Sequence, residues 1–119
     1  MNSEKKKFIS SLSLPLLFVM LLWAIKIFEV LFNTSLVNYG IFPRTTPGLI
    51  GIITAPLIHA DFNHLISNTI PLIILGLGIS YSYPSSSKKL LAGIYVFHGL
   101  LVWIFARHAY HIGASGLVY

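Results

Sequence analysis

Three long apolar runs, separated by polar segments, dominate the pattern of hydrophobic and polar positions along the chain. The runs are residues 8–32, 63–82 and 90–106. Each is long enough for an α-helix that crosses a bilayer, which takes roughly 17–25 residues. A further apolar segment begins at residue 113, and we predict that residues 113–119 are only the start of a fourth span. The pattern therefore predicts an all-α membrane protein with three complete transmembrane helices.

The polar segments between these runs differ in length and charge. They are a leader (residues 1–7), a long loop (33–62), a turn (83–89) and a short turn (107–112). Lysines cluster in the leader and in the 83–89 turn, which lie on the same side of a three-span arrangement. Because cytoplasmic segments carry the excess of lysine and arginine, we expect this side, with the N-terminus, to face the cytoplasm. The long loop and the 107–112 turn then face outward.

Composition supports a lipid environment and argues against nucleic acid. The chain is 55% hydrophobic and 9% charged, whereas soluble domains are roughly 25% charged. We therefore expect the lipid bilayer to be a partner of the chain. The net charge is +5, but most basic residues flank apolar runs instead of forming a stripe that could follow phosphates. The absence of cysteine excludes disulfides and thiolate chemistry.

Polar residues of the long loop and the second span lie toward the predicted outer side. His64 and Asn68 are four residues apart, so they share one face of a helix. Helix capping accounts for Asp61 or Asn63. It does not account for Asn68, which lies deeper and would be dry unless it faces a cavity.

A second polar group surrounds Ser115 in the sequence Gly113-Ala114-Ser115-Gly116. The glycines leave room for another backbone to approach the hydroxyl, although this pattern is also typical of close helix packing in membranes. The Ser115 N–H, the His64 imidazole and the Asn68 amide could together donate hydrogen bonds to an oxyanion. Ser115 would then be a nucleophile that needs a general base.

The spacing His59-x4-His64-x3-Asn68, followed by Gly113-Ala114-Ser115-Gly116, resembles the rhomboid family of intramembrane serine proteases. The resemblance implies a rhomboid-like helical bundle with Ser115 as the nucleophile of a Ser-His dyad. It places His64, Asn68 and the Ser115 N–H at the oxyanion, with His59, Gly113 and Gly116 in support.

Several expectations about activity follow from the same resemblance. Substrates would be transmembrane proteins cleaved near the outer face, with no metal or organic cofactor. The lead-in to Ser115 is similar to a bacterial branch of the family, which implies the bacterial cytoplasmic membrane. The family carries its general-base histidine two spans after the serine, whereas this sequence ends at Tyr119. We therefore expect that the 119-residue chain does not cleave substrates by itself.

Two alternatives belong to other functional classes. The first is a non-catalytic rhomboid-like protein that binds client transmembrane helices. The second is a metal-binding membrane protein that uses four histidines, His59, His64, His108 and His111. The metal hypothesis lacks a carboxylate or cysteine at ligand spacing. The sequence carries no signal for an oligomeric state.

Other polar residues in the spans have structural interpretations. Lys26 and Glu29 are three residues apart and are expected to pair on one helix face. His98 lies near the middle of the third span and must face the bundle, where an interhelical hydrogen bond is expected. Trp103 and Arg107 are expected to anchor the helix end at the interface. The resemblance to the rhomboid family further implies that Arg107 braces the approach to Ser115.

Overall fold

The computed structural model describes residues 1–118, which form four α-helices and contain no β-strand. The helices are α1 (Ser3–Leu31), α2 (Gly51–Thr54), α3 (Phe62–Ser82) and α4 (Ser87–Phe105). Four short 3-10 helices accompany them: Val37–Tyr39, Pro47–Ile50, Ala55–Leu57 and Ser115–Leu117. The three long helices are each long and apolar enough to cross a membrane. The prediction of an all-α bundle with three candidate spans is confirmed.

The long helices start slightly earlier than the apolar pattern suggested, and side chains cap the first turns of α1 and α3. Helix α1 begins at Ser3 instead of residue 8, and the Asn2 side chain accepts a hydrogen bond from the Lys5 amide at 2.9 Å. The Asp61 carboxylate caps α3 in the same way, accepting from the His64 amide at 2.8 Å. Such caps satisfy amide groups that have no partner within the helix.

Helices α1 and α3 run antiparallel and form the main helix pair. They pack closely at Gly76, where a Cβ would lie 2.8 Å from Cγ of Pro15. Nearer the other end of α3, the Trp23 indole donates a hydrogen bond to the Thr69 hydroxyl at 3.0 Å. The absence of a side chain at Gly76 therefore lets the two helices pack closely.

Helix α4 is held in place largely by the long loop. Gly99 packs against Ile52 of α2, where a Cβ would lie 2.8 Å from Cγ2 of Ile52. The Arg44 guanidinium donates to the carbonyl oxygens of Ile104 and Ala106, at 3.0 and 2.9 Å, and so caps the end of α4. A cation at a helix C-terminus also interacts favourably with the helix dipole.

The end of α1, the start of α3 and the end of α4 lie at one end of the bundle, which we call the serine end. The long loop and the segment that contains Ser115 also lie there. Residues 113–118 of the predicted fourth span include the 3-10 helix Ser115–Leu117, and Tyr119 lies outside the described residues. An open apolar cleft of about 530 Å³ lies between α1, α3 and α4.

Candidate active site

The segment before Ser115 is tied to the long loop by backbone hydrogen bonds. His111 and Ile41 exchange both of their amide–carbonyl bonds at 2.9 Å, as in an antiparallel bridge. The Gly113 amide then donates to the Ala55 carbonyl at 2.9 Å. The long loop therefore does more than connect helices, because it fixes the backbone on which the half-buried Ser115 sits.

His59 adds a third attachment through its side chain. Its Nε2 accepts a hydrogen bond from the Ala114 amide at 3.2 Å, and the residue is only 2% exposed. Burial, with a smaller contribution from neighbouring His64, lowers the pKa of His59 from 6.5 to about 4. A neutral imidazole that accepts at Nε2 carries its proton on Nδ1. That Nδ1 is buried.

His64 lies between His59 and the serine segment. The two imidazole rings meet edge to face, with their centroids 4.9 Å apart. On its other side His64 packs against Gly113, where a Cβ would lie 2.6 Å from Cε1 and 2.8 Å from Nε2. Gly113 also has a φ of +102°, a conformation that disfavours any residue with a side chain. The position therefore requires glycine for two independent reasons.

Asn68 lies one turn further into α3 on the same helix face as His64. It is 2% exposed, and its Nδ2 has no hydrogen-bond partner among residues 1–118. A buried amide without a partner costs free energy, so a ligand or water that accepts its hydrogen bond would stabilise it. The argument that Asn68 is too deep to serve as a helix cap thus agrees with its position.

His98 contacts the other side of the serine segment. A Cβ on Gly116 would lie 1.9 Å from His98 Nε2, so the imidazole packs directly on the glycine backbone. The sequence indicated that His98 faces the bundle, but sequence reasoning missed this contact with the residue after Ser115. The two flanking glycines, Gly113 and Gly116, thus each contact a histidine.

The remaining histidines of the outer turn have structural partners. His108 packs edge to face on Phe42, with ring centroids 4.6 Å apart, and His111 Nε2 lies 2.9 Å from the Arg107 carbonyl oxygen. Within residues 1–118, no group of three or more His, Cys, Asp or Glu side chains is arranged to hold a metal ion.

Comparison with known proteins agrees with the resemblance found in the sequence. Residues 46–119 match the family model described as Rhomboid domain. An uncharacterised protein of Mycobacterium tuberculosis is 38% identical over 110 residues, which is 87% of this chain and 46% of that protein. An uncharacterised protein of Mycobacterium leprae is 36% identical over 110 residues, covering 87% of this chain and 44% of the relative.

The chain spans about half the length of these curated relatives. No solved structure gives a significant match. The family match covers more than half of the chain and contains every predicted site residue, from His59 to Gly116. With three helices able to cross a bilayer, the chain is an integral membrane protein that belongs to the rhomboid family.

Proposed function

We propose that this chain carries the nucleophile and the oxyanion site of an intramembrane serine endopeptidase that cleaves transmembrane proteins. The observation that carries the proposal is the buried amide of Asn68, which has no hydrogen-bond partner among residues 1–118. It lies one helical turn from His64, which itself contacts Gly113. A buried donor that lacks an acceptor among residues 1–118, on the same helix face as a histidine that contacts the serine segment, suits a site that receives a negatively charged oxygen.

In the proposed reaction the Ser115 hydroxyl oxygen attacks the carbonyl carbon of the scissile peptide bond. The carbonyl oxygen becomes an oxyanion that accepts hydrogen bonds from the Ser115 N–H, His64 and Asn68. A general base takes the hydroxyl proton and returns it to the leaving amine, and water then hydrolyses the acyl-enzyme. We assign the base to the histidine of a Ser-His dyad, as the resemblance to the family implies.

His59, Gly113 and Gly116 have supporting roles in this proposal. By accepting the Ala114 amide, His59 fixes the backbone immediately before the nucleophile. Gly113 lets His64 approach the serine segment, and Gly116 does the same for His98. No step requires a metal ion or an organic cofactor.

The proposed orientation in the membrane follows from the distribution of lysines. The lysines at the end of the bundle opposite Ser115 would face the cytoplasm, with the N-terminus, in a bacterial cytoplasmic membrane. The serine end would then face outward, and cleavage would occur near the outer end of the substrate helix.

The test measures cleavage of a model transmembrane substrate by the complete protein encoded by the gene, reconstituted in liposomes. Ser115→Ala should abolish cleavage, and Asn68→Ala should lower kcat by about 10²-fold, as loss of an oxyanion donor does. Ser67→Ala is the matched control, because within residues 1–118 the Ser67 hydroxyl bonds only to the His64 carbonyl of the same helix. Cleavage that persists unchanged in Ser115→Ala would refute the proposal.

A second candidate is a non-catalytic protein that binds client transmembrane helices. The open apolar cleft between α1, α3 and α4 supports it, because such a cleft could receive an apolar helix. This candidate predicts that the complete protein retains substrate helices without cutting them, and that Ser115→Ala leaves retention unchanged.

A further inference from the structure

A charged pair near the end of α1 contacts both ends of the long loop. Lys26 Nζ donates to Glu29 Oε2 at 3.1 Å, to the His59 carbonyl at 3.1 Å and to the Ala60 carbonyl at 3.0 Å. The two side chains are only 12% and 6% exposed. An ammonium group has three donors, so Lys26 has no unused hydrogen bond.

Glu29 completes the connection to the start of the loop. Its Oε1 accepts a hydrogen bond from the Leu36 amide at 2.8 Å, while its Oε2 holds Lys26. The pair therefore joins α1 to the beginning of the loop and to the two residues that precede Asp61, the cap of α3. The sequence predicted the ion pair, which the structure confirms, but not these backbone contacts.

The contacts continue from Lys26 to the serine segment. Lys26 holds the His59 backbone through its carbonyl, and the His59 side chain accepts the Ala114 amide at 3.2 Å. Ala114 directly precedes Ser115 and is fully buried. We infer that Lys26 and Glu29 are positioning residues for the proposed nucleophile, and that they act through His59 on the backbone before Ser115.

Electrostatics explains why both partners are needed. The low exposure of Lys26 makes its charge costly unless an opposite charge and hydrogen-bond acceptors surround it. Glu29 supplies that charge, and the two carbonyls fix the direction in which the lysine points. Loss of the ammonium would remove the hydrogen bond that holds the His59 carbonyl. The His59 backbone could then move, which would change the orientation of the imidazole toward the Ala114 amide.

This inference rests on the proposed function. The effect of replacing Lys26 should appear in kcat. A misplacement of about 1 Å at a reacting group can cost roughly 10²-fold in rate. We expect Lys26→Met to lower kcat by about 10-fold to 100-fold, with KM within about twofold of wild type, because the hydrogen bonds of this pair are made within the chain. Lys26→Arg retains the charge and the donors and should recover most of the lost rate.

The experiment uses the complete protein in liposomes and has two readouts. The first is kcat and KM for the model substrate. The second is amide hydrogen exchange of the peptide that contains Gly113 and Ala114, whose amides bond to Ala55 and His59. Lys6→Met is the control, because Lys6 is an exposed lysine at the other end of α1. Glu29→Gln is the second variant in case Lys26→Met does not fold.

The positioning role predicts lower kcat and faster exchange at Gly113 and Ala114 in Lys26→Met, with Lys6→Met at wild-type values. A purely structural role would instead speed exchange throughout α1 and α3 and leave kcat unchanged in the folded fraction. That result, or wild-type values of both readouts in Lys26→Met and Glu29→Gln, overturns the inference. Failure of the proposed function is seen separately: either wild type would not cleave, or Ser115→Ala would cleave like wild type. In both cases the exchange measurement still tests whether Lys26 positions the backbone at Gly113 and Ala114.

Discussion

The contact between Gly116 and His98 gives a sharp test of the geometry around Ser115. A methyl group added by Gly116→Ala would lie 1.9 Å from His98 Nε2 and 2.1 Å from Cε1. Ordinary contacts are about 3.4 Å or longer, so the ring or the serine segment must move by roughly 1.5 Å. Overpacking of this kind typically costs about 1–3 kcal/mol of unfolding free energy. Because Ser115 is the adjacent residue, a shift of that size should lower the cleavage rate by about 10²-fold.

The assay compares cleavage rate and thermal stability in the complete protein. Gly78→Ala and Gly93→Ala are matched controls, since a Cβ at either position meets no atom within 4 Å. Alanine is the better helix former there, so these two variants should be as stable as wild type or more stable. The decisive step is His98→Ala in the Gly116→Ala background, which removes the colliding ring.

We expect the double variant to recover stability, with a coupling energy of about 1–3 kcal/mol between the two positions. If cleavage also recovers, the collision with His98 accounts for the effect of Gly116→Ala on Ser115. The reasoning is refuted if Gly116→Ala cleaves and melts like Gly78→Ala. It is also refuted if removal of His98 leaves the stability of Gly116→Ala unimproved.

Three further predictions concern neighbouring positions. Gly113→Ala should lower stability by about 1–3 kcal/mol and abolish cleavage, because it combines a positive φ with a collision with His64; thermal unfolding and the cleavage assay check it. Since the pKa of His59 is lowered to about 4, the folded state binds fewer protons than the unfolded chain between pH 6.5 and 4. The unfolding free energy should therefore decrease as the pH is lowered from 6.5 to 4, by at most about 3 kcal/mol. His59→Gln should flatten this pH profile. Arg44→Ala should increase amide exchange at the end of α4 by about 10-fold, whereas Arg107→Ala should not.

The helices and much of the candidate site follow from local patterns in the sequence. Apolar runs of sufficient length predict the three spans, and the four-residue spacing places His64 and Asn68 on one helix face. The ion pair of Lys26 and Glu29 follows from their three-residue separation in α1. Each of these predictions depends only on the length of an apolar run or on helical periodicity, and both can be read from the sequence.

The contacts between distant segments did not follow from any periodicity. His59 and Ala114 are 55 residues apart, and Lys26 and the His59 carbonyl are 33 residues apart. Both contacts depend on the path of the long loop, which includes a left-handed turn at Arg44 with φ of +58°. Side-chain spacing does not determine the path of such irregular backbone, so these attachments could be found only from the structure.

The burial of Ala114 links the stability of the fold to the geometry of the candidate site. Leu22 of α1, Leu65 of α3 and Ala114 are all fully buried and pack in one cluster. The residue before the proposed nucleophile is therefore part of the same core that joins the two main helices. Because close-packed cores deform little, a change in α1 that moves Leu22 should also move the backbone at Ser115. Leu22→Ala should consequently lower both the melting temperature and the cleavage rate, whereas truncation of lipid-exposed Leu17, which is 62% exposed, should change neither.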